Sequence, residues 1–159
     1  MRITATLAFL ALMGWSGGLM AVSVSTHLMF QGTAEPAMEL YESVFPDFKV
    51  IEKELHDSGD MKGKLRLANV EFAGHKLIIF DSPPVHDFTF TPATSLFVEF
   101  DNAEALKRAF DLLSEGGEVA MPLDDYGFSP LFGWLQDRFG VSWQLTLNDD
   151  QQGPAEESR

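Results

Sequence analysis

The stretch "FGWLQDRFGVSWQLTL", residues 132–147, contains two tryptophans on either side of a turn. Its second half alternates hydrophobic and polar residues, which is typical of a strand with one buried face. Trp143 falls on the hydrophobic side, so we expect its indole in the core, with Gln144 on the opposite face. Gly140 stands where the pattern breaks, and we expect it to adopt a positive φ. The stretch therefore predicts the last hairpin of a sheet.

The first half of this hairpin is less regular. Asp137 and Arg138 are typical turn residues, and we expect both to be exposed. Trp134 precedes them in a run that would allow it on either face of the sheet. Of these residues, we interpret Trp134 as an aromatic wall of a pocket.

The same order of elements, β-α-β-β-β, occurs twice along the chain. It follows from alternating strand patterns, helical spacing and Gly- or Pro-rich breaks. The first unit comprises a strand at Val22–Phe30, a helix N-capped by Thr33 and ended at Pro46-Asp47, and strands at Phe48–Leu55, Lys64–Phe72 and Lys76–Asp81. The second comprises a strand at Ser95–Phe100, a helix N-capped at Asp101-Asn102 and ended at Gly116-Gly117, and strands at Glu118–Pro122, Pro130–Gln136 and Ser142–Leu147. The repeat predicts one α+β domain, residues 22–148, of two βαβββ modules, residues 22–82 and 93–148.

The two ends of the chain are excluded from this domain. Residues 1–21 are apolar from Ile3 to Trp15, a run too short to span a bilayer as a helix. They resemble either a secretory signal or an extension before a later start at Met20. The first reading predicts export, and the second predicts a cytoplasmic protein. Residues 149–159 are expected to form a flexible acidic tail.

Composition excludes several classes of function. The chain has no cysteine, which rules out disulfides, thiolate metal sites and a cysteine nucleophile. Its net charge is -13; leaving out the tail, which carries -3, and residues 1–21, which carry +1, the domain carries -11. Such a field repels phosphate backbones and anionic membrane surfaces, so we expect no nucleic-acid partner.

Three stretches resemble the vicinal oxygen chelate superfamily, which includes glyoxalase I, bleomycin-resistance proteins and extradiol dioxygenases. They are "HLMFQGTAEPAMELYESVFP", "SLFVEF" and the hairpin "FGWLQDRFGVSWQLTL". The last is typical of the PhnB-like branch, also labelled 3-demethylubiquinone methyltransferase-like. The resemblance implies paired βαβββ modules whose sheets curl into a cup. We expect no methyl transfer, because the sequence shows no strand, Gly-rich loop and helix that would hold S-adenosylmethionine.

The resemblance also indicates where a ligand would bind. Metal-dependent members of the superfamily take ligands from the first and last strands of each module. The best-matching positions are His27, Ile78, Ser95 and Gln144; overlaying the modules places His27 over Ser95 and Ile78 over Gln144. Alternation turns His27, Ser95 and Gln144 away from the core. With Trp134, these three are the predicted ligand-binding residues.

A divalent metal ion is the one cofactor that these positions suggest. Ile78 has no donor atom and a neutral Ser95 is a poor ligand, which leaves His27 and Gln144 as metal ligands. Two ligands do not hold an ion tightly. The alternatives are a pocket-lining or hydrogen-bonded His27, and a Gln144 that satisfies a buried backbone group.

Two functions remain open, and with them the question of whether the chain is an enzyme. The first is a small-molecule-binding protein that holds its ligand in the cup without a metal. The second is a divalent-metal-dependent lyase, isomerase or dioxygenase. We also expect a homodimer, because each curled sheet has an open edge, with the cup near or across the subunit boundary. The alternative is a monomer whose two modules close one cup internally.

Overall fold

The structure, a computed structural model, describes residues 22–148. The predicted N-terminal segment, residues 1–21, and the predicted tail, residues 149–159, lie outside the described residues. The elements are β1 (Thr26–Phe30), α1 (Ala34–Val44), β2 (Phe48–Leu55), β3 (Leu65–Phe72), β4 (His75–Asp81), β5 (Leu96–Phe100), α2 (Ala103–Ser114), β6 (Glu118–Asp124), β7 (Phe132–Gln136) and β8 (Ser142–Leu147). Within the described range, neither helix is long and apolar enough to cross a membrane.

The strands form two four-stranded sheets, ordered β1-β4-β3-β2 and β5-β8-β7-β6. The first and last strands of each module pair in parallel, β1 with β4 and β5 with β8, and the other pairs are antiparallel. Each module returns to its first strand through a helix and a meander. The prediction of an α+β fold with two βαβββ modules is confirmed.

The first strand is shorter than predicted. Val22 and Val24 are 89% and 81% exposed, so their predicted place on a core face is wrong. The pairing register explains the difference. Thr26 stands opposite Leu77, and β4 begins only two residues earlier, at His75. Val22 and Ser23 therefore run beyond the end of their partner strand, and Val24 would stand opposite only its first residue, so alternation alone does not make a strand.

One hydrophobic core joins the two modules. The indole of Trp143, on β8, is fully buried, as predicted. Its ring centre lies 5.0 Å from Tyr41 and 5.2 Å from Phe45, both in the first module. Phe72, on β3, lies 6.3 Å away on the same indole. Aromatic pairs at these distances add to the stabilisation that burial provides, so Trp143 fixes one module against the other.

Asp137 is buried rather than exposed, and its predicted exposure is wrong; Arg138 is exposed as expected. The carboxylate of Asp137 accepts hydrogen bonds from Tyr41 Oη at 2.7 Å and Trp143 Nε1 at 2.9 Å. It also accepts from the backbone N–H groups of Phe139 and Val141, at 2.8 and 3.1 Å. Four donors replace the water that a buried carboxylate loses. The turn residue of the second module thus anchors the first helix.

Asp81 plays the corresponding part within the first module. Its carboxylate accepts hydrogen bonds from the N–H groups of Gly32 and Ala34, at 2.7 and 3.0 Å, and of Leu65, at 3.1 Å. The N-terminus of α1 is therefore capped from β4. Thr33 occupies the predicted N-cap position, but its side chain makes no capping hydrogen bond. The bond from Ala34, the first residue of α1, satisfies an N–H group that a helix start leaves unpaired.

Candidate functional site

Each sheet has a covered face, packed beneath its helix, and an open face on the other side. In the first sheet Leu28 and Leu77 are buried on the covered face, while His27 and Ile78 lie on the open face. In the second sheet, Gln144 lies on the open face between two buried neighbours. The faces predicted from alternation for His27 and Gln144 are those observed.

The pairing registers show that the predicted overlay of the modules is inconsistent. His27 stands opposite Ile78 in the first sheet, whereas Gln144 stands opposite Phe97 in the second. If Ile78 corresponds to Gln144, the counterpart of His27 is therefore Phe97 rather than Ser95. The error is two residues, and two residues along a strand return to the same face. Ser95 consequently still belongs to the open face, one step before β5.

A connected row of polar side chains crosses the open face of the second sheet. Trp134 Nε1 donates to Ser142 Oγ at 2.9 Å, and Ser142 Oγ lies 2.7 Å from Ser95 Oγ. Gln144 Nε2 donates to Ser95 Oγ at 3.2 Å. We call Trp134, Ser142, Ser95 and Gln144 the polar cluster. Three of the four predicted ligand-binding residues are therefore brought together.

His27, the fourth predicted residue, reaches the same place from the other module. Its ring is exposed and stacks on Phe80, with centroids 4.6 Å apart and planes at 20°. A cavity of about 290 Å³ opens between β1 and β5, and His27, Ser95 and Ser142 all line it. Gln144 and Trp134 are not among the residues that line this cavity, but they donate hydrogen bonds to Ser95 and Ser142, which are. We call it the intermodule cavity.

Of the residues that line this cavity, sequence reasoning identified only His27 and Ser95; Ser142 and Phe90 are among those it missed. Ser142 lies two residues before Gln144 on the same strand, so the alternation that identified Gln144 also places Ser142 on the open face. Phe90 comes from the proline-rich linker and reaches the cavity by packing against Phe30, with ring centres 4.9 Å apart. No local pattern marks Phe90, because a linker residue has no strand or helix period.

The donors at the predicted metal positions do not fit a tightly held divalent ion. Ile78 has no donor atom, and Ser95 Oγ already takes part in two hydrogen bonds within the polar cluster. His27 and Gln144 then offer one imidazole nitrogen and one amide oxygen, fewer than the three protein ligands typical of a catalytic zinc site. Within residues 22–148, no group of three or more histidine or acidic side chains is arranged to hold a metal.

A second, larger cavity of about 410 Å³ lies on the first sheet. Ile51, Asn69, Lys76 and Ile78 are among the residues that line it. Of the four predicted ligand-binding residues it contains none. Its wall includes the charged residues Glu71 and Lys76, whereas none of the described residues that line the intermodule cavity is Lys, Arg, Asp or Glu. We call this larger cavity the first-sheet cavity, and it is the alternative to the intermodule cavity as a candidate binding site.

Two βαβββ modules, with open sheet faces and a cavity between their first strands, define the fold class of the vicinal oxygen chelate superfamily. The chain matches the family described as 3-demethylubiquinone-9 3-methyltransferase over residues 22–146, and it belongs to that PhnB-like family. The resemblance drawn from the three sequence stretches is thereby confirmed.

Individual relatives support the same assignment. A solved structure described as a putative 3-demethylubiquinone-9 3-methyltransferase, PhnB protein, from Bacillus cereus is 40% identical, with a TM-score of 0.76, and the match covers 80% of this chain and 100% of that one. Protein YjdN of Escherichia coli (strain K12) is 30% identical over 84 residues, 53% of this chain and 56% of that protein, so the chain spans about half the length of this relative. A glyoxylase/bleomycin resistance protein/dioxygenase domain from Frankia sp. EAN1pec, 12% identical with a TM-score of 0.58 over 82% of this chain and 99% of that one, shows the shared fold alone.

Proposed function

We propose that the protein binds a small molecule in the intermodule cavity, and that the polar cluster orients this ligand. The observation that carries the proposal is that His27, from the first module, and Ser95 and Ser142, from the second, line one concave space. Ligand sites are typically concave and mostly apolar, with a few polar groups that fix orientation. Leu28, Phe90, Leu96 and Val141 supply the apolar part of this wall.

A fragment screen on the purified chain tests this proposal. Compounds that raise the melting temperature are titrated against wild type, Ser95→Ala and Lys76→Met. Ser95→Ala removes the hydroxyl from the intermodule cavity without adding bulk, whereas Lys76→Met alters the first-sheet cavity. We expect hits to weaken in Ser95→Ala by about tenfold, the effect of one lost hydrogen bond at a polar ligand group. Hits that weaken only in Lys76→Met would move the site to the first sheet.

Metal-dependent catalysis is the second candidate function. It is favoured by His27, whose ring is exposed at the intermodule cavity, and by Gln144, whose Oε1 atom accepts no hydrogen bond from the described residues. A bound ion would polarise a substrate oxygen there. Metal analysis of purified protein, beside His27→Ala, decides this candidate: stoichiometric metal that is lost in the variant supports it. Metal-free wild-type protein that still binds fragments supports binding alone.

The methyltransferase in the family's name is not part of our proposal. The polar cluster offers hydroxyl, amide and indole groups, and no glycine-rich loop between a strand and a helix adjoins it within residues 22–148. We expect calorimetric titration with S-adenosylmethionine to show no heat of binding. Saturable binding at micromolar concentration would overturn this expectation.

We further propose that the protein forms a homodimer. Ile51 and Phe97 are 65% and 57% exposed, and large apolar side chains of this kind are commonly covered by a partner. The intermodule cavity is lined from both modules of one chain, so the dimer is not needed to bring His27 to Ser95. Sedimentation equilibrium at micromolar concentration should give twice the chain mass. A single-chain mass throughout that range would contradict the dimer and leave the cavity unaffected.

A further inference from the structure

The hydrogen bonds inside the polar cluster determine what it still offers to a ligand. Trp134 donates to Ser142, Gln144 donates to Ser95, and the two serine hydroxyls share one hydrogen bond. Each hydroxyl has one hydrogen and two lone pairs. The shared bond uses one of the two hydrogens, so one hydroxyl hydrogen is left over whichever serine donates. If Ser142 donates, Ser95 Oγ accepts from both neighbours and its own hydrogen is free.

Gln144 supplies the complementary acceptor. Its Nε2 atom is used by Ser95, and its Oε1 atom accepts no hydrogen bond within residues 22–148. With Ser142 as the donor of the shared bond, the cluster offers the O–H of Ser95 and, beside it, the carbonyl acceptor of Gln144. A ligand that satisfies both must carry an acceptor and a donor next to each other.

The lining of the intermodule cavity favours an uncharged ligand group. His27 is the one titratable side chain in a lining otherwise made of threonine, serine and apolar residues; none is Lys, Arg, Asp or Glu. An ionised group placed there would lose its hydration without an ion partner, at a cost that neutral groups avoid. The net charge of -13 adds a general repulsion of anions.

We propose that the ligand enters this cavity with a neutral carboxamide-type group, an amide, lactam or ureide, whose carbonyl accepts from the free serine hydroxyl and whose N–H donates to Gln144 Oε1. A carboxylate has the acceptors but no donor, and two acceptor oxygens would then face Gln144 Oε1. This inference rests on the proposed function and specifies its ligand class.

The test uses benzamide and benzoate, two probes of nearly the same shape that differ in charge and in the N–H donor. Both are titrated into the ¹⁵N-labelled full chain, and the Gln144 side-chain amide and Trp134 indole signals are followed by NMR, assigned with Gln144→Leu and Trp134→Phe. We expect benzamide to shift both signals and to bind at least about tenfold more tightly than benzoate, because polar sites reject analogues that leave their groups unpaired. Gln144→Leu should weaken benzamide by about tenfold, and Lys76→Met should leave it unchanged.

Three results would overturn the inference. If benzoate binds as tightly as benzamide, the cavity does not prefer a neutral ligand group over an anionic one. Benzamide that is weakened by Lys76→Met but not by Gln144→Leu would place the probe in the first-sheet cavity. Benzamide that shifts neither signal up to its solubility limit would exclude the carboxamide class. The fragment screen keeps the proposed function separate, since hits of another class that depend on Ser95 would support a binding site while this inference fails.

Discussion

The two modules share one topology but carry different chemistry on their open faces. In the first module the open face of β1 and β4 presents His27 stacked on Phe80, beside Ile78. In the second module the equivalent strands carry Ser142 and Gln144, tied by hydrogen bonds to their neighbours. The repeat thus fixes the architecture twice, while these strands differ in chemistry: the second copy carries a connected row of hydrogen-bonded polar groups, and the first carries an aromatic stack beside Ile78.

The buried carboxylates differ in a related way. Asp81 binds three N–H groups that all belong to its own module. Asp137 binds the hairpin of its own module and also Tyr41 of the other. Asp81 thus caps α1 within its own module, whereas Asp137 connects the two modules by a hydrogen bond. Substitutions at these positions should separate local from intermodule stability.

The largest effect is expected for Asp137→Ala. It leaves four donors without an acceptor, including the buried Tyr41 Oη and Trp143 Nε1. Breaking a buried charged network by removing one partner costs about 3–5 kcal/mol. Urea denaturation should show this loss, with Asp60→Ala, an exposed aspartate, as the control that changes little. A loss below about 1 kcal/mol would mean that the modules are held by apolar packing alone.

A smaller loss, about 2–3 kcal/mol, is expected for Asp81→Ala, because three backbone donors lose their acceptor. Amide hydrogen exchange should speed up at the start of α1 while the second module stays protected. The matched variant is Asn102→Ala, which removes the local cap of α2, a bond of 2.9 Å to the N–H of Ala105, and should cost about 1 kcal/mol. If Asp81→Ala and Asn102→Ala lost the same free energy of unfolding, the three hydrogen bonds of Asp81 would contribute no more than the single capping bond of Asn102.

Tyr41→Phe should cost about 1–2 kcal/mol at neutral pH, because Asp137 loses one donor. Its effect should also depend on pH. Burial, and then the nearby charge of Asp137, raise the pKa of Tyr41 well above its ordinary value of 10.0. A raised pKa in the folded state gives stability that is complete below pH 10.0 and is lost as the pH rises further.

The difference in melting temperature between wild type and Tyr41→Phe should therefore narrow above pH 10.0. A series of thermal unfolding measurements from neutral to alkaline pH checks this. The second tyrosine, Tyr126, is present in both proteins and cancels in the comparison. A constant difference across the series would show that Tyr41 titrates alike in the folded and unfolded chains.

The smallest effect is expected for His27→Phe. The ring is exposed and stacks on Phe80, and a phenyl ring can keep that stacking. The free energy of unfolding should change by no more than about 0.5 kcal/mol, as for most surface substitutions. Thermal melting checks this directly. A loss of several degrees would show that His27 is part of the scaffold rather than a wall of the cavity.

Much of the fold could be predicted from the sequence because period-two alternation and turn residues are local signals. The alternation around Gln144 gave both the buried position of Trp143 and the open face of its neighbour, and Gly140 adopts the expected positive φ of 90°. The pairing registers were harder to predict from the sequence, because the residues of one strand do not indicate which residue of the partner strand stands opposite. The overlay of Ser95 on His27 failed for this reason.

The intermodule contacts could not be predicted from local patterns. Asp137 reads as an exposed turn residue, and its burial depends on Tyr41, 96 positions away in the sequence. Ser142 acquires its role only when Ser95, 47 positions earlier, is brought alongside it. Such contacts follow from packing, whereas composition and period report only on neighbours along the chain.

The proposed ligand site lies between the modules, at the polar cluster. A crystal structure of the protein with the tightest-binding fragment would show whether the ligand occupies it. We predict ligand density between His27 and Ser95, with a polar ligand atom within hydrogen-bond distance of Ser95 Oγ or Gln144 Oε1. Density confined to the first-sheet cavity, beside Ile51 and Lys76, would contradict the proposed site.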